Sequence, residues 1–577
     1  MTARRIERRT PVSGAALSDS LHPLLQRVYA TRGVRNIAEL DHALTALSDY
    51  AGFRGLSAAV ELLTDCLTGD RRILVVGDFD ADGATSSALA VRALRKLGAR
   101  HVDYLVPNRF EYGYGLTPEI VALAKERRPD LIVTVDNGIS SHAGVAAAHT
   151  AGIRVLVTDH HLPGATLPEA DAILNPNLPG DEFSSKCLAG VGVMFYLLLA
   201  LRARLRADNW FGSRGISEPN LAEFLDIVAL GTVADLVPLD HNNRVLVAQG
   251  LARIRAGRGA PGIRALLEVG KREVSRITAA DLGFAAGPRL NAAGRLTDMS
   301  LGIECLLTDD PIRAHALAAK LDALNHERRD IEARMQDDAL RVLDNLGFNL
   351  VDPELPFGLC LFNEEWHQGV VGLVASRIKD RVHRPVIAFA RADENTLKGS
   401  ARSVQGVHIR DVLEAVSSRH PGLMGKFGGH AMAAGLSLEA DRFKSFAEAF
   451  DAEVRHWLSA DDLVGVIHSD GELEPEFMTL ECAELLRAAG PWGQGFPEPC
   501  FDGVFRLLER RVVGNGHLKL ALAEPTTGLR LEAIAFNQTD AHLPAACGQV
   551  RIVYRPDVNE YRGGRRLQLL VDYIEPV

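Results

Sequence analysis

Paired cysteines, a long apolar run and an excess of positive charge are all missing from this chain of 577 residues. Its seven cysteines are scattered, and no two of them form a CxxC pair. This dispersal argues against a disulfide framework and against a cysteine zinc site, and it is typical of a reducing compartment. We therefore expect the protein to be cytoplasmic.

The sequence also lacks the segments that membrane insertion or secretion needs. The uncharged run CLAGVGVMFYLLLAL (187–201) is shorter than the roughly 20 residues of a membrane span, so it predicts a buried helix. No apolar core follows the basic start MTARRIERRT, so we expect neither a secretory signal nor a membrane partner. The net charge of −10 argues against an indiscriminately basic nucleic-acid coat, but it is compatible with a local basic groove.

A cluster of aspartates lies in the stretch GDFDADG. Asp78, Asp80 and Asp82 occupy alternate positions, which is the opening pattern of an EF-hand calcium loop. The twelfth position of such a loop should hold a bidentate Glu, but here it is Leu89. The cluster also follows a run typical of a buried strand (73–77), whereas an EF-hand loop follows a helix. The calcium loop is therefore excluded, and the aspartates lie where a strand passes into a helix.

Short apolar runs alternate with helix-like stretches over residues 51–315, which predicts an α/β domain with a parallel, doubly wound sheet. The predicted strands are residues 73–77, 102–107, 131–135, 153–158 and 172–175. The other predicted parts are an N-terminal helical segment (1–50), a linker helix (316–346), a second, smaller α/β domain (347–455) and a small antiparallel β-barrel (456–577).

Further acidic and imidazole side chains follow other predicted elements. Asp136 comes directly after LIVTV, the triplet Asp159, His160 and His161 comes directly after IRVLVT, and Asp235 ends a predicted buried helix. Each of them alone has an ordinary explanation as a turn or a helix cap. Parallel strands end at one edge of a sheet, however, so we expect one cluster whose charges would repel each other without a cation.

The donor atoms of this cluster limit the metal it can hold. Carboxylate oxygens with one or two imidazoles, and no thiolate, favour Mn²⁺ or Mg²⁺ over structural zinc. Two such ions roughly 4 Å apart can activate water and stabilise the leaving oxygen of a phosphoryl group. That spacing needs a bridging carboxylate, and Asp82 and Asp136 are both candidates.

Seven motifs together resemble those of a known family. GDFDADG, VDNG, TDHH and GTVAD, in this order and spacing, resemble the four motifs of the DHH phosphoesterase superfamily. GPRLNAAGR, GSARS and GGHAMAAG resemble those of the RecJ family within it, which degrades single-stranded DNA from the 5′ end. The resemblance runs from about residue 50 to the C-terminus and includes the terminal barrel, which it identifies as an OB-fold.

The resemblance implies a role for each residue of the cluster. Asp78 would be a ligand of the second metal ion or a carboxylate that positions water. His161 would face the scissile phosphate, and Asp159 would be a further catalytic residue. The implied metal ligands are Asp78, Asp80, Asp82, Asp136, His160 and Asp235.

The resemblance also implies the contacts with substrate. The terminal phosphate would be held by Arg109, Arg289, Ser400 and Arg402, the channel would be lined by Asn291 and Arg295, and the second α/β domain would contribute Gly428, Gly429 and His430. OB-folds bind single strands with aromatic and basic side chains, and the candidates here are Tyr554, Tyr561, Arg562, Arg565 and Arg566. The basic RGGRR stretch is alternatively a solvated hairpin turn.

The function implied is that of a metal-dependent exonuclease that releases 5′-mononucleotides from single-stranded DNA in recombination and repair. We expect a monomer in the bacterial cytoplasm, with a single-strand-binding protein and a DNA helicase as partners. Two alternatives stay open. A small-molecule phosphoesterase would not need the barrel or the GPRLNAAGR motif, and an inactive replication scaffold would have lost metal carboxylates that this sequence retains.

Overall fold

The computed structural model describes residues 4–13, 17–108, 112, 115–345, 355–514, 516–538, 543–544, 547–560 and 564–577. These residues form an N-terminal segment, a parallel α/β domain, a long helix, a second α/β domain and a closed barrel. This architecture confirms the predicted fold class.

The elements are numbered in chain order. The strands are β1 (Arg4–Arg8), β2 (Ile73–Gly77), β3 (Val102–Leu105), β4 (Leu131–Val135), β5 (Arg154–Thr158), β6 (Ala172–Leu174), β7 (Leu359–Phe362), β8 (Val386–Arg391), β9 (Thr396–Arg402), β10 (Phe427–Gly429), β11 (Ala433–Glu439), β12 (Gly465–Ser469), β13 (Phe501–Val513), β14 (His517–Ala523), β15 (Arg530–Ala535), β16 (Gln549–Asn559) and β17 (Arg566–Pro576). The helices are α1 (Pro23–Ala30), α2 (Leu56–Thr68), α3 (Ala81–Lys96), α4 (Pro118–Glu126), α5 (His142–Thr150), α6 (Gly190–Ala207), α7 (Trp210–Arg214), α8 (Leu225–Ala234), α9 (His241–Arg255), α10 (Pro261–Val269), α11 (Ala279–Asp281), α12 (Gly287–Leu296), α13 (Ser300–Leu307), α14 (Pro311–Asn345), α15 (Val371–Val382), α16 (Ile409–Arg419), α17 (Phe443–Trp457) and α18 (Leu480–Ala488).

The first domain is built on a five-stranded parallel sheet with the strand order β3-β2-β4-β5-β6. β2 and β4 are buried along their whole length, as expected for apolar runs that are covered by helices on both faces. Gly77 pairs with Val135, and Val135 pairs with Thr158, so three strands end in register. The loops that follow them therefore start side by side.

The apolar run at residues 187–201 forms most of α6, and the predicted buried helix is confirmed. α6 packs against α2, α3 and α8, and most of its side chains are enclosed. Throughout the described part of the chain, no helix has the length and apolar character needed to cross a membrane.

α14 belongs to the cores of both α/β domains. Its first turns place Ala314, Ala318 and Leu321 in the core of the first domain. Further along, Met335 and Ala339 are part of the core of the second domain. A long helix thus joins the two α/β domains, as the fold class predicts, and it begins at Pro311 rather than at residue 316.

Between these two apolar segments, α14 carries buried polar side chains. Arg328 donates to Glu332 over 2.6 Å, and Arg377 on α15 donates to the other oxygen of the same carboxylate over 2.8 Å. Glu332 is only 7% exposed. This network joins α14 to the second domain at the point where the helix leaves the first.

The second domain contains the mixed sheet β10-β11-β9-β8-β7, in which only β7 and β8 are parallel. The terminal barrel closes in the order β13-β14-β15-β17-β16. The predicted antiparallel barrel is present, with one parallel pair, β15 and β17. Leu518, Leu520 and Leu522 alternate into its core, as the strand period requires.

The prediction that residues 1–50 are helical is wrong at their start. β1 pairs in parallel with β12, about 460 residues further along the chain, as in the pairing of Ile6 with Ile467. α1 then packs against the barrel domain, with the Tyr29 ring 5.9 Å from that of Trp492. Pairing between segments so far apart leaves no pattern in the local sequence.

A fully buried ion pair fixes this N-terminal segment. Arg32 donates to both oxygens of Asp470 over 2.9 Å, and neither side chain is exposed to solvent. The remaining N–H groups of this guanidinium donate to the carbonyl oxygens of Pro497 and Val28. With its hydrogen bonds satisfied in this way, the pair holds α1 to the barrel.

Arg32→Ala should destabilise the barrel by about 3 kcal/mol or more, because it leaves a buried carboxylate without its main partner. The measurement is urea unfolding followed by tryptophan fluorescence, since the guanidinium lies 5.3 Å from the Trp492 ring. Arg5→Ala is the matched control, because it removes an exposed pair with Glu7 and should cost less than about 1 kcal/mol. Equal shifts in the two variants would contradict this account of the interface.

Candidate metal centre and substrate cleft

Three carboxylates follow the in-register ends of β2, β4 and β5. Because the loops start side by side, Asp78, Asp136 and Asp159 form a row along the carboxyl edge of the sheet. All three residues are at most 6% exposed. Asp136 has a left-handed φ of +61°, which few residues other than Gly, Asn and Asp adopt and which turns the chain sharply after β4. The predicted convergence at one edge of the sheet is therefore present.

The other two aspartates of GDFDADG are held by helix N-termini. Asp80 caps α3, where its carboxylate accepts the backbone N–H groups of Asp82 (2.9 Å) and Gly83 (3.0 Å). The buried carboxylate of Asp82 accepts the N–H groups of Gly190 (2.6 Å) and Val191 (3.0 Å) at the start of α6. Helix N-termini favour negative charge, so the N–H groups at Asp82 oppose the rise in pKa that burial causes there.

His160 links the sheet edge to α8. Its Nε2 lies 3.0 Å from Oδ1 of Asp136 and 3.5 Å from Oδ2 of Asp235, which follows the last residue of α8. Gly190, the first residue of α6, lets this helix approach Asp136 closely, since a Cβ at position 190 would lie 2.7 Å from the Cβ of Asp136. Asp235 thus joins the cluster from a different element, as the sequence predicts.

Ligand atoms converge here in three overlapping groups, each spanning at most 4.8 Å. The groups are Asp78 with Asp80 and Asp136, Asp136 with His160 and His161, and Asp82 with His160 and Asp235. Asp136 and His160 each belong to two groups, which suits neighbouring ions that share ligands. All six predicted ligands are brought together, and oxygen donors with imidazole and no thiolate fit Mn²⁺ or Mg²⁺.

Burial and mutual repulsion act on the carboxylates of this cluster. Burial, together with the charge of Asp80, raises the pKa of Asp82 to about 7. The pKa values of Asp136 and Asp235 are raised well above their usual range, first by burial and then by the charges of Asp82 and Asp80. The ionised forms of these carboxylates are therefore disfavoured, and a divalent cation bound among them would stabilise those forms.

The two histidines of the triplet differ in charge. Burial lowers the pKa of His160 to about 4, which keeps its imidazole neutral and able to bind a metal. Burial also opposes the charged form of His161, but its hydrogen bond to Asp159 and the charge of that carboxylate raise its pKa to about 8. The Nδ1–H of His161 donates to Oδ1 of Asp159 over 2.7 Å. Asp159 therefore orients and charges His161.

Three asparagines that the sequence analysis did not select hold the loops in place. The side-chain amide of Asn137 donates to carbonyl oxygens at the ends of β2 and β4. Asn175 donates to the carbonyl of His161 over 2.9 Å, and Asn177 donates to that of His160 over 2.6 Å. Asn137 lies inside the VDNG motif, and the other two follow β6. Their positions just after strands were the feature of the sequence that could have identified them.

The second domain contributes His430 to the cleft. Its ring stacks on that of His161, with centroids 5.6 Å apart and an angle of 21° between the planes. Gly428 and Gly429 end β10 directly before it, and Gly429 has the left-handed φ of +148°. The predicted GGH loop therefore lies against the metal cluster.

Ser400 and Arg402 lie together on β9, over the start of α15. Nη1 of Arg402 donates to Oγ of Ser400 over 3.0 Å. A Cβ at Gly372, in the first turn of α15, would lie 2.7 Å from Nη2 of Arg402 and 2.8 Å from Oγ of Ser400. A guanidinium, a hydroxyl and a helix N-terminus at one place suit an anion. We call this arrangement the anion cradle.

The GPRLNAAGR motif forms α12 and makes mainly contacts within the protein. Arg289 is 7% exposed, and its guanidinium donates to Asp322 on α14 and to the carbonyl of Ala285. The role of Arg289 in holding the terminal phosphate stays a prediction, and these contacts fix its guanidinium against α14. Asn291 accepts the N–H of Ala81 at the start of α3. Arg295 donates to the carbonyl of Gly369, so it joins the two α/β domains.

The residues of the barrel that were predicted to bind single strands differ in exposure and in their contacts. Tyr554 is wholly buried, with its ring 6.3 Å from that of Phe501 and 5.6 Å from that of Phe505, so its predicted stacking on a base is wrong. Arg565 pairs with Glu484 and Glu560, and Arg566 lies 3.8 Å from Glu532. Tyr561 and Arg562, the other two barrel candidates, lie outside the described residues, and so does Arg109, which was predicted to hold the terminal phosphate.

Comparisons with known proteins agree with this architecture. The DHH family, N-terminal domain model matches residues 72–232, the DHHA1 domain model matches 356–456, and the RecJ OB domain model matches 469–573. The single-stranded-DNA-specific exonuclease RecJ of Dickeya dadantii is 58% identical over 571 residues, 99% of each chain. The chain belongs to the RecJ family. The RecJ of Escherichia coli is 56% identical over 574 residues, again 99% of each chain.

Solved RecJ structures share the fold. The crystal structure of RecJ from Thermus thermophilus in complex with Mn²⁺ matches with a TM-score of 0.81 and 31% identity, over 99% of this chain and 79% of that one. The Mg²⁺ complex of the same protein matches with a TM-score of 0.75 and 29% identity, over 99% and 78%. RecJ proteins thus bind both ions that the donor set of this cluster favours.

Mn²⁺ should raise the thermal unfolding midpoint of this RecJ-family chain, because the ion neutralises carboxylates that repel each other. At 100 times Kd the gain in unfolding free energy is about 2.7 kcal/mol. Asp136→Asn should reduce this gain strongly, since the residue belongs to two of the three ligand groups. The measurement is differential scanning fluorimetry with Mn²⁺ or with EDTA, together with calorimetric titration of the ion.

The same variant without metal should be at least as stable as the wild type, because it removes one of the repelling charges and because Asn tolerates the left-handed φ. Asp309→Asn, which alters an exposed partner of Arg92, should leave the response to Mn²⁺ unchanged. An undiminished response in Asp136→Asn would show that the ion binds elsewhere.

Proposed function

We propose that this chain is a metal-dependent exonuclease that degrades single-stranded DNA in the 5′→3′ direction and releases 5′-mononucleotides, using Mn²⁺ or Mg²⁺, with two ions in the site. The observation that carries the proposal is the position of the anion cradle. Two contacts link the end of the strand that carries Ser400 and Arg402 to the metal cluster. The N–H of Ser403, the next residue, donates to the carbonyl of Met432, and His430 in the same turn stacks on His161. A grip for one terminal phosphate beside a hydrolytic centre suits cleavage from an end.

The cradle would set the direction and the product. A 5′-phosphate bound by Ser400 and Arg402 leaves the next phosphodiester, on the 3′ side of the same nucleotide, as the bond nearest the metal cluster. Cleavage of that bond on its 3′-oxygen side yields a nucleotide that keeps its 5′-phosphate. Arg402 suits this grip because its planar guanidinium can hold phosphate through two hydrogen bonds.

The residues around the metal cluster would each act on the scissile phosphate or on the ligands. Ions bound here supply charge neutralisation and activation of water for attack on phosphorus. His161, charged at neutral pH and oriented by Asp159, would donate a hydrogen bond to a phosphate oxygen on which negative charge develops. His430 lies on the opposite side of the cleft and would confine the phosphate between the two domains.

The wider biological setting follows from family membership alone. We propose a role in DNA recombination and repair, in which a helicase supplies single strands and a single-strand-binding protein covers them. The proposal includes a monomer in the bacterial cytoplasm. The closed barrel would bind the single strand that is being degraded, as OB-folds do.

Digestion of end-labelled DNA tests the proposal. The 5′ label should be released early as a mononucleotide, from single strands only and only with Mn²⁺ or Mg²⁺, whereas EDTA should stop the reaction. Asp136→Ala should abolish turnover while single-strand binding persists, because it removes a ligand shared by two groups. Earlier release of the 3′ label, activity confined to dinucleotides, or near-normal turnover in Asp136→Ala would each contradict it.

Arg402→Ala should raise KM for 5′-phosphorylated DNA by roughly tenfold to a hundredfold, since a hydrogen bond to a charged group contributes about 1.5–3 kcal/mol. DNA that ends in a 5′-hydroxyl should be affected much less. Steady-state kinetics on the two substrates provide the measurement. Arg391→Ala is the matched control, since this arginine ends β8 in the same sheet and pairs with Glu364. An equal loss on both substrates would exclude Arg402 from the phosphate grip.

A further inference from the structure

Three large apolar side chains stay exposed around the metal cluster. Leu162 directly follows the histidine pair, Leu236 directly follows Asp235, and Met432 lies two residues after His430. Their exposed fractions are 67%, 69% and 50%. Leu162 and Leu236 belong to the first domain and Met432 to the second, so each domain carries an exposed apolar side chain within two residues of the histidines or the aspartate of the cluster. We call them the apolar rim.

The backbone beside two members of the rim is fixed by hydrogen bonds. At Leu162, the preceding carbonyl, that of His161, accepts the side-chain amide of Asn175 over 2.9 Å. At Met432, the carbonyl accepts the N–H of Ser403 over 3.0 Å. These side chains are therefore held out by an ordered backbone, although no core within the protein covers them.

Leu236 pays an additional backbone cost, because it has a left-handed φ of +60°. Bulky side chains rarely adopt this conformation, and after a helix it is usually taken by Gly or Asn. A leucine that is both strained and 69% exposed gains little from its own fold. Strained residues of this kind concentrate at functional sites, and this one is next to a metal ligand.

We infer that the apolar rim packs against the face of the 5′-terminal nucleobase, with Leu236 as its main contact. This inference rests on the proposed function. With the terminal phosphate in the anion cradle and the next ester at the metal cluster, the base of that nucleotide is the apolar part of the substrate that has to lie at the rim. Aliphatic side chains offer no hydrogen bonds to base edges, so the rim accepts any of the four bases.

Binding of two oligonucleotides tests the rim. Both are single-stranded and 5′-phosphorylated, and one carries a tetrahydrofuran abasic residue as its first nucleotide. In the Asp136→Ala background, which should bind without cutting, the ordinary end should bind about tenfold more tightly, as expected for covering a base face with apolar groups. Fluorescence anisotropy gives the two Kd values, and their ratio is the quantity of interest.

Adding Leu236→Ala or Leu236→Gly should bring this ratio close to one. Glycine adopts the left-handed φ without strain, so Leu236→Gly should fold at least as well as its parent, and a thermal unfolding midpoint checks this. Ile312→Ala is the matched control, because this side chain is 83% exposed in the first turn of α14, away from the cleft. It should leave the ratio unchanged.

A ratio that persists in both Leu236 variants would overturn the inference, and so would an equal weakening on both oligonucleotides. A ratio of one in the parent would overturn it as well, while digestion of end-labelled DNA could still succeed. Conversely, the expected ratios with no release of labelled nucleotide would contradict the exonuclease proposal and leave the rim supported.

Discussion

The arrangement of the metal cluster depends on the pairing of Gly77 with Val135 and of Val135 with Thr158. This register puts buried carboxylates in one row at the edge of a sheet. Bare charges in such a row repel each other strongly. The surrounding elements reduce this repulsion in two ways. The start of α6 donates two backbone N–H groups to Asp82, and His161 supplies a positive charge to Asp159. A cation bound in the cluster would balance the negative charge that remains.

The same charge balance explains why the two histidines of the triplet are not equivalent. His160 lies deep in the cluster, near Asp136 and Asp235, where a neutral imidazole can serve as a ligand. His161 lies toward the cleft, bonded to Asp159 and stacked on His430. One sequence motif thus places a neutral imidazole in the metal cluster and a charged one at the cleft, and His430 of the second domain packs against the charged one.

Local pattern was sufficient for much of this region and insufficient elsewhere. The runs 73–77 and 131–135 were predicted as strands with the bounds that the structure has, because each is an uninterrupted buried strand. Their register then follows from parallel pairing. The prediction for Tyr554 was wrong for a physical reason. A shift in the pairing of β16 with β17 between Val553 and Tyr554 breaks the alternation of buried and exposed side chains, so both of these side chains are buried. The pairing of β1 with β12 and the bond from Arg289 to Asp322 depend on distant partners, which no local period reveals.

The sharing of α14 by two cores has a mechanical consequence. A helix of 35 residues is roughly 50 Å long, and one end is packed into the first domain while the other is packed into the second. Moving the anion cradle away from the metal cluster would require bending this rod or breaking the buried bonds of Glu332 to Arg328 and Arg377. The separation between the anion cradle and the metal cluster is therefore set by the stiffness of one helix, much as the frame of a caliper sets its gauge. In the proposed exonuclease, this fixed separation would match the distance from a terminal phosphate to the next phosphodiester bond, so each cleavage would remove one nucleotide whatever its base.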